Sequence, residues 1–191
     1  MFKGAVFLDR DGTVNVEKNY IDDPNDLKLY EGVSDAIKRL NKKRIRVILV
    51  TNQSGVARGY FTEERVLEIN GYLKELLGND GASLDGVYYC PHHPDFDKKC
   101  DCRKPKPGLL IRADDDLQID LQSSYIIGDK LSDLELAGSI SAKGVLVLTG
   151  YGLETKRNLE TGSVTPHFIA KGLKEAVEWI IKDIDANMLE A

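Results

Sequence analysis

The sequence predicts an α/β fold, a mostly parallel Rossmann-like sheet with helices on both faces. Three observations carry that expectation. Short apolar runs recur along the chain, each bounded by polar or turn residues and too short for a helix. Segments with apolar residues at helical spacing lie between them, so strand and helix alternate. Polar, charged loops follow the apolar runs, on the side of such a sheet where ligands bind.

The first strand is read at Gly4 to Leu8, and Val33, Ile37 and Leu40 then recur at the spacing of a helix face. A second strand, Ile45 to Val50, leads to a helix marked by Val66, Ile69, Leu73, Leu76 and Leu77. Val87 to Tyr89 makes a third strand, and residues 90 to 108, rich in Pro, Cys, His and Lys, read as an ordered insertion. Leu109, Leu110, Ala113 and Leu117 define the next helix, and Tyr125 to Ile127 the fourth strand. Ser132 followed by Glu135 fits a capping box that opens another helix. Gly144 to Leu148 is the fifth strand, and Ala176, Val177, Ile180 and Ile181 mark a last amphipathic helix. There is no repeat, no low-complexity tract and no long linker, so residues 1–191 are expected to form a single domain.

Composition narrows the function. Hydrophobic residues make up 42% and charged residues 30%, which suits a chain that folds without a partner. The 26 Lys and Arg against 31 Asp and Glu give a net charge of -5, which offers no global attraction to nucleic acid. No apolar run approaches the roughly 18 residues of a membrane span. Asp9, Arg10 and Asp11 directly follow the first apolar stretch, so a cytoplasmic protein, neither spanning nor secreted, is expected. Nothing suggests an extended apolar interface, so a monomer is expected.

Chemistry concentrates after the strands. Asp9 and Asp11 stand two residues apart in Asp-Arg-Asp-Gly-Thr, so both carboxylates can face one site. Acids brought together repel and call for a cation, and hard oxygen donors suit Mg²⁺. An Asp can also attack phosphorus while its neighbour acts as general acid and then base. By itself the motif also fits an Asp-Gly turn with solvated acids. Thr51-Asn52-Gln53-Ser54-Gly55 follows the second strand with hydroxyl and amide groups suited to phosphate. Arg103 and Lys104 set cations ahead of a helix, able to grip phosphate and offset its charge. Gly128-Asp129-Lys130-Leu131-Ser132-Asp133 adds another metal-type carboxylate, a lysine and a second acid.

The three cysteines, Cys90, Cys100 and Cys102, are an odd number and cannot form a closed set of disulfides. With His92 they give Cys-x-His and, seven residues on, Cys-x-Cys, four ligands able to close a tetrahedral, structural Zn²⁺ site in a loop at about residues 90–102. Spacing alone does not separate His92 from His93; His92 mirrors the Cys-x-Cys arrangement and is preferred. His167 reads as a surface histidine. Because the loop ends at Arg103 and Lys104, the metal is expected to stiffen the segment that brings both cations to the site.

In order and spelling these loops resemble the haloacid dehalogenase (HAD) superfamily of phosphatases, with Asp9, Asp11 and Thr13, then Thr51, then Lys104, then Gly128, Asp129 and Asp133. The resemblance runs from Gly4 to about Gly150. It implies a HAD-like fold in which Asp9 is nucleophile, Asp11 is general acid and base, and Thr51 and Lys104 hold the phosphoryl oxygens. It also implies Mg²⁺ on Asp9, Asp129 and the backbone carbonyl of Asp11.

More narrowly, Thr51 to Gly59, Tyr89 to Pro94, Cys100 to Pro105 and Gly128 to Lys130 are similar to the D-glycero-D-manno-heptose 1,7-bisphosphate 7-phosphatases. That family carries a Cys3His zinc loop in place of a large cap domain and supplies activated heptose for lipopolysaccharide or related glycans. By that resemblance a phosphorylated sugar contacts Glu17, Lys18, Asn19, Tyr20, Asn52, Gln53, Ser54, Arg103, Lys104 and Lys130, with Arg103 and Lys130 at the sugar and distal phosphate. The sequence departs from the family in the short zinc-loop stretch Asp95 to Lys99 and after about Tyr151, where Thr161 to His167 has no assignment. Histidinol-phosphate phosphatase is the nearest rival, with the same catalytic loops and a similar zinc cluster. A zinc-stabilised binding module without catalysis is the rival from another class, and a polynucleotide 3′-phosphatase is disfavoured by the acidic balance.

Overall fold

The expected parallel sheet forms because the apolar runs are short, β-rich and separated by segments long enough for a crossover helix. A computed structural model describes residues 2–97, 99–159 and 164–189; residues 98 and 161–163, within two of the stretches where the sequence departs from the family, lie outside them. In chain order the elements are β1 (Ala5–Leu8), α1 (Val33–Lys42), β2 (Arg46–Asn52), α2 (Glu63–Asn79), β3 (Gly86–Cys90) and α3 (Gly108–Leu117). They continue with β4 (Tyr125–Gly128), α4 (Leu131–Ser139), β5 (Lys143–Val147), α5 (Gly152–Leu159), β6 (Phe168–Ala170) and α6 (Leu173–Leu189). All six strands pair in parallel, in the order β3-β2-β1-β4-β5-β6.

Alternation along each strand divides the core between the two faces of the sheet. Val6, Leu8, Val47, Leu49 and Ile127 join buried residues of α1, α2 and α6 in one cluster. Ala5, Phe7, Ile48, Val50 and Ile126 join α3 and α4 in the other. Cys90 and Cys102 belong to that second cluster, so both ends of the proposed zinc loop are anchored in core.

Three differences from the sequence reading have local causes. β6 is three residues long, below the length at which an apolar run stands out, and it pairs with β5 at the sheet edge. α5 carries few apolar residues and buries only Gly152 and Thr155, so its sequence shows no apolar stripe. The expected Ser132–Glu135 capping box is replaced. Lys130 is the N-cap of α4, and its backbone N–H donates to the Asp133 carboxylate at 3.1 Å. Asp133 takes this place because it is buried beneath the strand ends, where a free N–H would be costly.

Candidate active site

The sheet order reverses at β1: strands β1 to β3 grow one way and β4 to β6 the other. The loops leaving β1 and β4 therefore diverge and open a crevice at the carboxyl ends of the strands. Asp9 leaves β1 with its N–H donating to Ile127 O of β4 at 2.9 Å, and Asp129 follows β4 directly. One carboxylate oxygen from each of Asp9, Asp129 and Asp133 lies within 4.8 Å of the others, all three residues buried. Asp9 and Asp129 belong to the Mg²⁺ set implied by resemblance; Asp133 is the added member.

Lys104 sits among these acids. Its Nζ is 2.8 Å from Asp9 Oδ1 and 2.6 Å from Asp133 Oδ1, and it donates to Val50 O at 3.0 Å, so its three donors are all engaged. Burial would lower its pKa, but Asp133 and Asp9 outweigh burial and hold it above the usual value. Asp9 Oδ1 also accepts the Arg10 N–H at 2.8 Å, while no hydrogen bond reaches Asp9 Oδ2 among the described residues. Asp129 is pushed up to about 7, by burial first and by Asp9 next, with Lys130 opposing. Its Oδ1 is buried with no protein partner. An orphaned carboxylate oxygen beside a second acid fits a hard divalent cation.

Gly12 has a packing reason as well as a turn. With φ +88, a side chain there is strained, and a Cβ would lie 2.1 Å from Asp129 Oδ2. The Asp-Gly pair thus lets the β1 loop press against Asp129, which a solvated turn would not need.

Asp11 is held by a buried network that sequence reasoning missed. Arg10, 1% exposed, donates to Asp11 Oδ1 through Nε and Nη2 and lies 2.9 Å from Oδ2. The guanidinium also donates to Asn70 Oδ1 and Gln53 Oε1, each at 3.1 Å. Asn15 Nδ2 and Gln53 Nε2 donate to the two Asp11 oxygens at 3.0 and 2.9 Å. Burial pushes the Asp11 pKa up, but Arg10 and the two amides outweigh it and hold it below the usual carboxylate range. Nothing along the chain marks Arg10 as buried; only the fold turns it toward α2.

A cleft of about 350 Å³ opens beside these groups. Asp11, Glu17, Asn19, Tyr20, Asn52, Gln53, Ser54, Arg103, Lys104 and Lys130 line it, together with Ser132 and Tyr151. Lys18 does not: its ammonium pairs with Asp26 at 2.8 Å outside the lining. Thr51 is buried and its Oγ1 accepts from Gln53 Nε2 at 2.8 Å, leaving its O–H to donate. Asn52 is also structural. Its amide accepts Lys104 N–H at 3.1 Å and donates to Lys104 O at 3.2 Å, clamping that backbone to β2. Arg103 Nη1 donates to His92 O at 3.0 Å. Lys130 lies 3.2 Å from Glu17 Oε2; burial works against its charge, but Asp9, Asp129 and Glu17 hold its pKa above the usual value.

Ligand atoms of Cys90, His92, Cys100 and Cys102 lie within 4.8 Å of one another. Cys90 Sγ is 3.7 Å from Cys100 Sγ and 3.0 Å from Cys102 Sγ, and His92 Nδ1 is 3.3 Å from Cys102 Sγ. Zn–S bonds of about 2.3 Å at tetrahedral angles separate ligand atoms by about 3.7 Å, so the donor set fits Zn²⁺. His93 turns away, its Nε2 3.1 Å from Arg58 Nη2. If the loop holds Zn²⁺, chelation is expected to lower the melting temperature by several degrees and to lower turnover, since Arg103 and Lys104 follow the loop directly. A protein stripped of zinc that keeps both would separate the loop from the site.

A family model described as HAD-hydrolase-like matches residues 101–176. The chain is 47% identical over 153 residues to the D-glycero-beta-D-manno-heptose-1,7-bisphosphate 7-phosphatase of Yersinia pestis, covering 76% of this chain and 81% of that protein. It is 45% identical to the Escherichia coli K12 protein of that name, covering 76% of this chain and 80% of the relative. Among solved structures, the D,D-heptose 1,7-bisphosphate phosphatase from B. bronchiseptica, complexed with magnesium and phosphate, superposes with a TM-score of 0.85 at 32% identity. That match covers 94% of this chain and 99% of that one. With the paired acids, the cleft and the Cys3His loop of its own fold, the chain belongs to the D-glycero-beta-D-manno-heptose-1,7-bisphosphate 7-phosphatase family of HAD-like hydrolases.

Proposed function

We propose that this chain is a Mg²⁺-dependent phosphatase that removes the 7-phosphate of D-glycero-β-D-manno-heptose 1,7-bisphosphate, giving heptose 1-phosphate for glycan precursor synthesis. The observation that carries the reading is that cations stand at two places: Lys104 against Asp9, and Arg103 and Lys130 on the open cleft wall. A bisphosphate needs both. The names of relatives at 45–47% identity favour this substrate over histidinol phosphate, and an intact acid–lysine cluster argues against a binding module without catalysis.

In this reading Asp9 attacks phosphorus, and Asp11 protonates the departing C7 oxygen, leaving an aspartyl-phosphate and a free alcohol. Asp11 then takes a proton from water as the water attacks the same phosphorus, and Asp9 is released with inorganic phosphate. Arg10 keeps Asp11 ionised at rest, suited to the second step; approach of the phosphate dianion raises its pKa for the first. Thr51 holds a phosphoryl oxygen, and Lys104, its N–H groups engaged, offsets the charge of the transferring group from its place against Asp9. Mg²⁺, held by Asp9, Asp129 and the Asp11 carbonyl, supplies charge neutralisation at those oxygens when bound. Catalysis is then mostly positioning and electrostatic stabilisation.

The reading includes Zn²⁺ on the four loop ligands, a monomer, and a cytoplasmic location consistent with three free cysteines; no helix among the described residues is long and apolar enough to cross a membrane. The test is Mg²⁺-dependent phosphate release from both anomers of heptose 1,7-bisphosphate, histidinol phosphate, fructose 1,6-bisphosphate and a 3′-phosphorylated oligonucleotide. The β-anomer is expected to be turned over most efficiently. Preference for histidinol phosphate would overturn the substrate, and no release from any of them would overturn catalysis.

A further inference from the structure

Tyr151 enters the cleft from the segment after β5, outside every motif that marks the active site. Both ends of the residue are tied down. Its backbone N–H donates to Asp129 Oδ2 at 2.8 Å, and its hydroxyl donates to Asn19 Oδ1 at 2.9 Å. The first bond depends on Gly150, whose φ of +53 and lack of a Cβ let the chain pass Asp129; a Cβ there would lie 2.2 Å from Asp129 Oδ2. Between its two anchors the ring faces the Lys130 ammonium, with Nζ 4.9 Å from the ring centroid.

Lys130 is gripped from a second side by Glu17 Oε2 at 3.2 Å, and Glu17 Oε1 accepts the Asn19 N–H at 2.6 Å. Tyr151, Asn19, Glu17 and Lys130 therefore form a closed circuit of contacts on the cleft wall. A lysine on four methylenes is otherwise mobile, and fixing it costs side-chain entropy. The circuit meets that cost before any ligand arrives, which is preorganisation.

The two cleft lysines differ in what they have left to give. Lys104 has spent its three donors on Asp9, Asp133 and Val50 O. Lys130 gives one donor to Glu17, and an aromatic face attracts its charge without consuming an N–H in a fixed direction. Lys130 thus keeps N–H groups for an incoming anion.

We propose that Tyr151 is a positioning residue for the second, non-reacting phosphate of the substrate, its ring holding the Lys130 ammonium where that phosphate is received. The proposal rests on the bisphosphate reading above. It assigns a specificity role to a position that neither the catalytic motifs nor the zinc loop includes.

The experiment compares kcat/KM for heptose 1,7-bisphosphate with kcat/KM for the same sugar carrying only the 7-phosphate, in the natural chain, Tyr151→Leu, Tyr151→Phe, Lys130→Met and Tyr151→Leu combined with Lys130→Met. The natural chain is expected to prefer the bisphosphate, and Tyr151→Leu to cut that preference about fivefold to tenfold, mainly through KM. Tyr151→Phe, which keeps the ring, is expected to keep most of it. On the Lys130→Met background Tyr151→Leu is expected to change the ratio no further. Using a ratio cancels losses of folded protein, and melting temperatures are measured alongside.

A natural chain without the preference overturns the bisphosphate reading and this assignment with it. A natural chain that prefers the bisphosphate, with a Tyr151→Leu variant that keeps the preference, overturns the Tyr151 assignment alone. So does a Phe variant that falls as far as Leu, or an undiminished Tyr151→Leu effect without Lys130.

Discussion

Asp9→Asn is expected to abolish phosphate release, lowering kcat by at least about 10⁴-fold, the scale on which removal of a nucleophile acts. An amide oxygen can still accept from Arg10 N–H and face Lys104 Nζ, the two contacts Asp9 Oδ1 makes, so the local structure has no reason to open. The substitution also removes one of three buried carboxylates that crowd within 4.8 Å. Asp129, raised by Asp9 among other causes, is relieved, and the metal-free variant should melt no lower than the natural chain. Phosphate release and thermal melting in the absence of metal check both halves. A variant as active as the natural chain refutes the nucleophile assignment, and one that is inactive because it is unfolded leaves melting temperature to expose the error.

Lys104→Met is expected to damage stability and turnover together. Methionine keeps an unbranched side chain one atom shorter and removes the charge, leaving Asp9 and Asp133 without the ammonium that stands 2.8 and 2.6 Å away. Breaking a buried pair by deleting one partner typically costs about 3–5 kcal/mol, because the remaining charge is stranded. Turnover should fall about 10²–10³-fold, the range for losing one preorganised electrostatic contact.

The pH dependence distinguishes this from a packing defect. Asp133 and Asp129 already have pKa values raised in the fold, Asp129 to about 7. A carboxyl with a raised folded-state pKa contributes stability at low pH that is lost as pH rises through that value. Lys104 opposes the rise at Asp133, so without it Asp133 is raised further and the metal-free variant's deficit should be smaller at pH 5 than at pH 8. Chemical denaturation at the two pH values measures it, and a deficit independent of pH would point to packing alone.

Much of the site was readable because catalytic loops in a parallel sheet follow their strands directly. Asp9 directly follows β1, Thr51 is the penultimate residue of β2, and Asp129 follows β4, so locating the apolar runs located the loops that meet at the cleft. The Cys3His cluster was readable for a similar reason, since four donors in one short loop need little tertiary help to meet. The preference for His92 over His93, made on its mirroring of Cys-x-Cys, agrees with the fold, which brings Nδ1 of His92 to 3.3 Å from Cys102 Sγ and sets His93 against Arg58.

What the linear order could not reveal is pairing across distance. Asp133 reads as a helix-start acid, and only the fold brings the first turn of α4 to Lys104, whose Nζ lies 2.6 Å from Asp133 Oδ1. Asn52 reads as a phosphate donor and is found clamping the Lys104 backbone. Arg10 reads as one charge in an acidic motif and is a buried anchor for Asp11, Gln53 and Asn70.

Reading along the chain was therefore enough to find the strand and helix alternation through β5, the last helix, the acids, the cations and the Cys3His cluster of this protein. The tertiary structure alone decided which acid meets which cation, where Tyr151 lies, and that a three-residue β6 completes the sheet. The physical reason is that strand and helix patterning and loop chemistry are local and periodic. Charge pairing in a buried site is instead decided by a few ångströms between segments far apart in the chain, for which the sequence carries no period to read.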